Sequence, residues 1–434
     1  MDTIRIGVIG FGTVGAGVVD ILLRNADIIT RRTGVALQLT HIADLDTTTD
    51  RGVQVPDGIL GPDAMALIDS DDVDVVVELV GGTTIAQKFV KEALKRGKPV
   101  VTANKALLAQ CGEELFALAR EHGTEIYFEA SVGGGIPCIK ALREGLAANN
   151  IQEMYGILNG TCNYILTRME NEKADFSMVL EAAQKSGYAE ANPSTDIDGY
   201  DTANKAAILA SLAFGRWFTL DDVTVKGIRD VTVTDIEYAS ELGYRIKLLA
   251  TIRKIEDKLQ LCVRPALVEK SSLLGNVSSV FNALWVKGDM VGATMFYGRG
   301  AGREATASAV VADLIDLALN SSHGCPRRVE PFPVFDKELR LASKSEILNR
   351  FYVRCLVKNK AGVLARIAGV LARHGISIAS VRQCQEEATS DNTVPMLLLT
   401  EDTSQADIES ALNEIRQDSA VAQPPVCFAV EELL

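Results

Sequence analysis

Along the first third of the chain, short β-branched runs alternate with stretches whose apolar residues recur at helical spacing. The runs IRIGVI at 4–9, ALQLTHIA at 36–43, DVDVVVELV at 72–80, KPVVTA at 98–103 and EIYFEA at 125–130 predict strands. Amphipathic stretches at 85–96 and 112–122 predict helices between them. Strand and helix in strict alternation predict an α/β unit built on a doubly wound parallel sheet. After residue 150 the pattern changes. Helical stretches near 175–187 and 199–215 precede candidate strands near 222–228, 257–268, 278–287 and 291–297, and a further helix at 303–319 follows GRGAG. Helices segregated from antiparallel-looking strands predict an α+β unit. Residues 320–348, with HGCPRRVEPFP and mixed charge, read as a linker. Beyond it FYVRCLV, a helix at 362–374, the paired strands ISIASVRQC and VPMLLLT, a helix at 405–417 and VCFAVEE follow a split βαβ order, which predicts a ferredoxin-like sandwich. The boundaries expected are 1–130, 131–319, 320–348 and 349–434.

Composition narrows the function classes. A chain of 434 residues has room for roughly two to four domains. Its formal net charge of -13 argues against nucleic acid or an anionic membrane surface as the main partner. Apolar runs such as VDVVVELV and AAILASLAF are far shorter than a bilayer span. The N-terminus lacks a basic region before its apolar run, so it does not read as a signal peptide. The eight cysteines, at 111, 138, 162, 262, 325, 355, 384 and 427, form no CxxC pair and have no histidine at metal-ligand spacing. They read as reduced thiols in a cytoplasmic protein. With four histidines in all, a histidine triad or a zinc site has little material.

The chemistry-bearing motifs fall at the ends of these elements. GVIGFGTVG sets Gly10, Gly12 and Gly15 in GxGxxG spacing between a strand and a helix, with Phe11, Thr13 and Val14 among them. Such a turn brings backbone amides to a dinucleotide pyrophosphate and marks a Rossmann unit. HIADLD ends the second strand, and Asp44 there can either accept from the ribose hydroxyls or simply begin a turn. Nothing basic follows it directly, which disfavours a 2′-phosphate. VVTANK places Lys105 past the carboxyl end of a parallel strand, where open α/β sheets bind ligands, or leaves it as a surface lysine at a helix start. EASVGGGIP offers Glu129 and a glycine-rich turn either to a hard cation or to a change of chain direction. GRGAG, ending at Gly302, is a phosphate-contacting loop or a plain one. In GYAEANPSTDIDGYDTANK, Glu190, Asp198 and Asp201 crowd near Lys205. If Asp198 caps a helix, Asp201 and Lys205 share one face at i and i+4, a lysine placed to donate or accept a proton. The same letters also fit a capping box with a solvated Asp–Lys pair.

Taken in order, GFGTVG, VVTANK, EASVGGGIP, GILNGTCNYIL and GYAEANPSTDIDGYDTANKAAIL resemble homoserine dehydrogenases that carry a C-terminal ACT domain, over essentially the whole length. The resemblance implies NAD(P)-dependent interconversion of aspartate 4-semialdehyde and homoserine, on the route to threonine, methionine and isoleucine. It implies Lys205 as proton donor, Glu190 and Asp201 as binders of the substrate amino acid, Asp196 nearby, and Lys105 between substrate and nicotinamide. It further implies cofactor contacts at Gly187 and Gly302, and a sodium ion on Glu129 with carbonyls of Val132, Gly134 and Ile136. For the ACT domain it implies an effector, expected to be threonine, at Asn359, Gly362, Val363 and Leu364, and pairing with a second copy in a homodimer or homotetramer. Three positions depart from the family. Ala43 stands where an arginine is frequent, which puts NADP preference in doubt. Asn359 and Ala361 stand where an aspartate and a proline are common, which does the same for effector binding. No room for an upstream kinase is expected, so the type is monofunctional. The alternatives are a dehydrogenase of another amino-acid aldehyde, or an amino-acid sensor with a vestigial dehydrogenase body.

Overall fold

The computed structural model describes residues 2–325, 328–332, 338–383 and 392–433, which form two compact units. The first unit is assembled from three separated parts of the chain, Met1–Gly160, Asp201–Val223 and Val280–Glu338. Its main sheet has six parallel strands in the order Leu60–Gly61, Ala36–Ala43, Thr3–Ile9, Val75–Glu78, Val100–Thr102, Ile126–Tyr127. This is the doubly wound arrangement expected. The central strands are buried on both faces, which is why they read as unbroken β-branched runs rather than alternating ones. Helices Thr13–Arg24, Thr84–Lys95 and Lys105–Glu121 supply the crossovers. The last begins seven residues earlier than the pattern suggested, because Asn104 caps it by accepting from the Leu107 amide at 3.1 Å.

A helix from much later in the chain closes this layer. Arg303–Ser322 puts Val310, Leu314 and Leu317 into one apolar core with Ile6, Val8 and Val19. It lies so close to helix Thr13–Arg24 that a Cβ on Gly17 would stand 2.7 Å from the Arg303 carbonyl oxygen and 3.0 Å from Ala307 Cβ. The apolar stripe of this helix was legible in the sequence. Its partner was not, and its expected place with residues 131–319 differs from the core it completes. The same unit holds three antiparallel strands, Ile151–Ile157, Phe281–Gly288 and Gly292–Arg299, and the helix Tyr200–Phe214 from Asp201 onward.

The second unit comprises Thr161–Tyr200, Thr224–Ser279 and Leu339–Leu434. The long hairpin Tyr244–Ile255 and Lys258–Glu269 is antiparallel along all its length, and Lys258–Glu269 pairs in parallel with the closing strand Val426–Glu431. From there the order runs Val426–Glu431, Leu348–Lys358, Thr393–Thr400, Ile378–Gln383, all antiparallel, with helices Val363–Arg373 and Gln405–Arg416 burying Ile367, Leu371, Ile408 and Ile415 on one face. That is the ferredoxin-like sandwich expected after residue 349. Part of the expected linker is ordered against this unit. Arg340–Leu341 pairs with Lys258–Leu259, and Glu346 binds the Lys258 ammonium. The candidate strand at 222–228 shrinks to Thr224–Val225. Cys384 lies outside the described residues, and the other seven cysteines are free thiols. Among the described residues no helix is long and apolar enough to cross a membrane.

Candidate active site

The glycine turn has the form that its sequence requires. Gly10 adopts φ +98°, and its amide donates to the Ala43 carbonyl at 2.8 Å, tying the turn to the neighbouring strand. A Cβ on Gly10 would meet the Leu79 backbone at 2.7 Å, and one on Gly15 would stand 1.9 Å from the Gly10 oxygen. At Gly12 nothing lies within 4 Å of that direction. The turn is therefore packed on two sides and open on the third, over the N-terminus of helix Thr13–Arg24, where amides face outward. Phe11 is buried beneath it, while Thr13 is exposed and Val14 half-buried. This is a cradle that a pyrophosphate fits. Asp44 serves the turn directly: one carboxylate oxygen accepts from the Phe11 amide at 2.5 Å and the other from the Asp46 amide at 2.9 Å. Asp46 in turn pairs with Arg51 at 2.8 Å. Gly302 caps helix Arg303–Ser322 with φ +123°, a conformation that favours glycine, and has open space on its side-chain face.

Lys105, just past the carboxyl end of strand Val100–Thr102, reaches into a buried charge cluster. Asp201, 5 % exposed, lies in the first turn of helix Tyr200–Phe214, and Lys205 follows one turn later at 8 %. The Lys205 ammonium donates to the Asp201 carboxylate at 2.7 Å and to the Leu158 carbonyl at 2.7 Å. Asn159 donates to the same Asp201 oxygen at 2.9 Å, and Lys105 reaches the other oxygen at 3.1 Å. Burial pushes the Asp201 carboxyl up. The ammoniums of Lys205 and Lys105 and the hydrogen bonds outweigh it, so the group is held well below the usual carboxylate range. It stays ionised at neutral and mildly acidic pH, and the pair weakens only as strong acid titrates Asp201.

Two expectations about this helix are corrected. Asp198 does not cap it. It ends the short helix Ser194–Ile197, and its carboxylate binds the Arg229 guanidinium. Nor is the Asp201–Lys205 pair a solvated one. Asn159 and Leu158 had no individual place in the sequence reading, although both lie in GILNGTCNYIL, because contacts more than forty positions apart leave no periodic trace.

Glu129 is buried at the start of a short 3₁₀ turn, Glu129–Ser131, where the sequence suggested strand to 130. Its carboxylate accepts from the amides of Ile139 at 2.9 Å and Lys140 at 2.8 Å, and burial raises its pKa. Among the described residues no cationic side chain forms an ion pair with it. The following turn carries Gly133 and Gly134 at positive φ, with the Gly300 carbonyl close against Gly134. The Val132 carbonyl accepts from the Cys138 thiol at 3.1 Å, and the Ile136 carbonyl from the Cys138 amide at 2.7 Å. A buried carboxylate with spare lone pairs, beside carbonyl oxygens, fits a monovalent cation. Among the described residues no group of three or more His, Cys, Asp or Glu side chains could hold a metal, so a cation here would rest mainly on carbonyls.

Gly187, Glu190 and Asp196 belong to the second unit. Gly187 ends helix Phe176–Lys185 at φ +75°. Glu190 is exposed, its carbonyl accepting from Gln184 at 3.0 Å, and the Asp196 carbonyl accepts from the Cys162 thiol at 3.2 Å. In the sandwich, Gly362 caps helix Val363–Arg373 at φ +84°, with Val363 buried and Asn359 and Leu364 exposed.

An open glycine turn at a helix N-terminus, with a buried lysine–carboxylate pair in the same unit, defines a nicotinamide-dependent oxidoreductase. The family profiles agree: homoserine dehydrogenase over residues 137–315, homoserine dehydrogenase NAD-binding domain over 10–129, and ACT domain over 351–419. The chain is 42 % identical to a homoserine dehydrogenase of Pseudomonas aeruginosa over 100 % of both chains, and 38 % identical to one of Bacillus subtilis over 99 % of both. Among solved structures, one of a homoserine dehydrogenase from Thiobacillus denitrificans superposes with a TM-score of 0.92 at 41 % identity, covering 100 % of this chain and 99 % of that one. A hyperthermophilic archaeal homoserine dehydrogenase in complex with NADPH matches 73 % of this chain and 98 % of its own at 28 % identity, with a TM-score of 0.62. The chain belongs to the homoserine dehydrogenase family.

Proposed function

We propose that the chain interconverts L-aspartate 4-semialdehyde and L-homoserine with a nicotinamide cofactor, on the route to threonine, methionine and isoleucine. The observation that carries this reading is the buried Lys205 ammonium, held by Asp201 and the Leu158 carbonyl in the unit that bears the glycine turn. Reducing an aldehyde needs a hydride at carbon and a proton at oxygen. The nicotinamide supplies the hydride when bound. Lys205 delivers the proton from Nζ to the carbonyl oxygen as negative charge develops there. Asp201 aims that ammonium, and its second oxygen, within reach of the half-exposed Lys105, accepts from the substrate ammonium together with Glu190. By the family resemblance Asp196 has a catalytic role, and Lys105 acts between substrate and nicotinamide. Gly10, Phe11, Gly12, Thr13, Val14 and Gly15 hold the pyrophosphate, Asp44 the adenosine ribose, and Gly187 and Gly302 the remainder of the cofactor. Glu129 and the carbonyls of Val132, Gly134 and Ile136 hold a sodium ion that orders the turn, and the ACT domain binds threonine through Asn359, Gly362, Val363 and Leu364 in a homo-oligomer.

Cofactor oxidation across a small panel of amino-acid aldehydes tests the reading directly. Aspartate 4-semialdehyde should be preferred, and Lys205→Ala should lower turnover by roughly two to four orders of magnitude while leaving cofactor affinity near that of the unaltered chain. A preference for another aldehyde, or near-normal turnover in Lys205→Ala, would refute it. Titrating sodium and threonine into the same assay checks the two ligands. Sodium should activate and millimolar threonine should inhibit, the inhibition vanishing on deletion of residues 349–434; indifference to either ligand removes it from the account.

Cofactor choice follows from the loop after the second strand. It reads Ala43-Asp44-Leu45-Asp46-Thr47, two acids with no base, and Arg51 nearby is already neutralised by Asp46. A 2′-phosphate meets like charge there, at a cost of about 1 kcal/mol or more in a partly desolvated site. NADH should therefore be used at least as well as NADPH, and Ala43→Arg should shift preference toward NADPH, read as the ratio of kcat/KM for the two cofactors. A strong NADPH preference in the unaltered chain would contradict this.

A further inference from the structure

Glu78 has no part in the mechanism above, yet it is fully buried at the carboxyl end of its strand, between the glycine turn and Lys105. Its register partners are Ile9, the last residue before the turn, and Thr102, three residues before Lys105. A carboxylate there must find hydrogen bonds or carry a large desolvation cost, and the bonds it finds point both ways. One oxygen accepts from the Val80 amide at 2.9 Å, and the other accepts from the Thr102 hydroxyl at 2.7 Å.

Both partners lead to the site. Leu79 and Val80 are the backbone against which Gly10 packs, at 2.7 and 3.0 Å from the position of a Cβ on that glycine, so the bond to Val80 fixes the wall behind the turn. On the other side, the Thr102 hydroxyl accepts from the Asn104 amide at 3.0 Å, and the Asn104 side chain donates to the Gly82 carbonyl at 2.6 Å while accepting from the Leu107 amide at 3.1 Å. Asn104 is thereby the cap of the helix whose first residue is Lys105, and the Lys105 ammonium reaches Asp201 at 3.1 Å. Gly81 and Gly82, both at positive φ, let the chain turn between these two anchors.

We infer that Glu78 is a positioning residue for the reaction. Its carboxylate locks the ends of two adjacent strands, holding the floor of the dinucleotide turn and the cap of the Lys105 helix in one register. It acts on the cofactor and on Lys105 only through Val80, Thr102 and Asn104. The assignment rests on the reading of function given above, in which the turn and Lys105 serve the cofactor.

Four variants and three readouts decide it: NADH affinity, from the fluorescence of the bound cofactor, steady-state turnover, and the thermal unfolding midpoint. Glu78→Leu should weaken NADH binding and lower turnover, each by roughly tenfold or more, in protein that remains folded. Glu78→Gln keeps an acceptor for Val80 and an amide for Thr102, and should recover most of both losses. Thr102→Val should reproduce the loss of turnover, and the double variant with Glu78→Leu should be no worse than the poorer single, as for two members of one linkage. If Glu78→Leu lowers only the unfolding midpoint, with NADH affinity and turnover of the folded protein within twofold of the unaltered chain, Glu78 is structural and the inference falls. Additive losses in the double variant would overturn the linkage through Thr102. Failure of the unaltered chain to bind NADH or NADPH would instead overturn the reading of function, and this assignment with it.

Discussion

Everything in the proposed site depends on keeping one carboxylate charged inside the protein. Asp201 is almost wholly buried, and an isolated carboxylate there would be protonated or would unfold the helix that carries it. The fold meets that cost with two ammoniums and an amide, Lys205 and Asn159 on one oxygen and Lys105 on the other. Removing any one leaves the remaining groups mismatched, so the cluster behaves as a unit. Under the proposed mechanism the same arrangement prepares the lysine: an ammonium fixed by a carboxylate and by the Leu158 carbonyl is aimed before any substrate arrives, which is where a general acid would gain over a free amine.

That cluster can exist because the first unit is interleaved. Lys105 comes from the crossover helix after strand Val100–Thr102, Leu158 and Asn159 from the end of an antiparallel strand, and Asp201 and Lys205 from a helix some forty residues later. Between Asn159 and Asp201 the chain leaves for the second unit and returns. Helix Arg303–Ser322 then seals the nucleotide core from further downstream, pressed on Gly17, where any side chain would force the two helices apart. Long-range closure of this kind makes the GxGxxG turn, the glycine-rich turn beside Gly300 and the lysine helix parts of one packed unit.

How much of this was legible depended on whether a feature repeats along the chain or only meets across it. Strand Ala36–Ala43 is found at the residues its β-branched run announced, and the helix pattern around Lys205 was right to within a residue at each end. The glycine spacing carried its own geometry, since Gly10 and Gly15 have no room for a side chain and Gly12 has room that nothing fills. The family motifs singled out particular stretches of chain. What they could not supply was partnership. Asp198 looked like the cap of the lysine helix, but Arg229 thirty-one positions on claims it. Strand Tyr244–Ile255 went unread because its interior is buried on both sides and loses the alternation that marks a strand. Asp44 begins a turn, as one of its two readings had it, and also grips the Phe11 amide, a partner that neither reading named.

The claim on which the rest hangs is that the Lys205 ammonium is the proton source. Rescue by small primary amines tests it most directly: in Lys205→Ala the missing Nζ leaves space beside Asp201 and the Leu158 carbonyl for a methylammonium-sized donor. With saturating cofactor and aspartate 4-semialdehyde, added methylamine or ethylamine should raise turnover of Lys205→Ala in proportion to the concentration of the ammonium form, and should leave the unaltered chain unaffected. Turnover in Lys205→Ala that ignores amines across their whole range, while the variant still binds cofactor and substrate, would contradict the account.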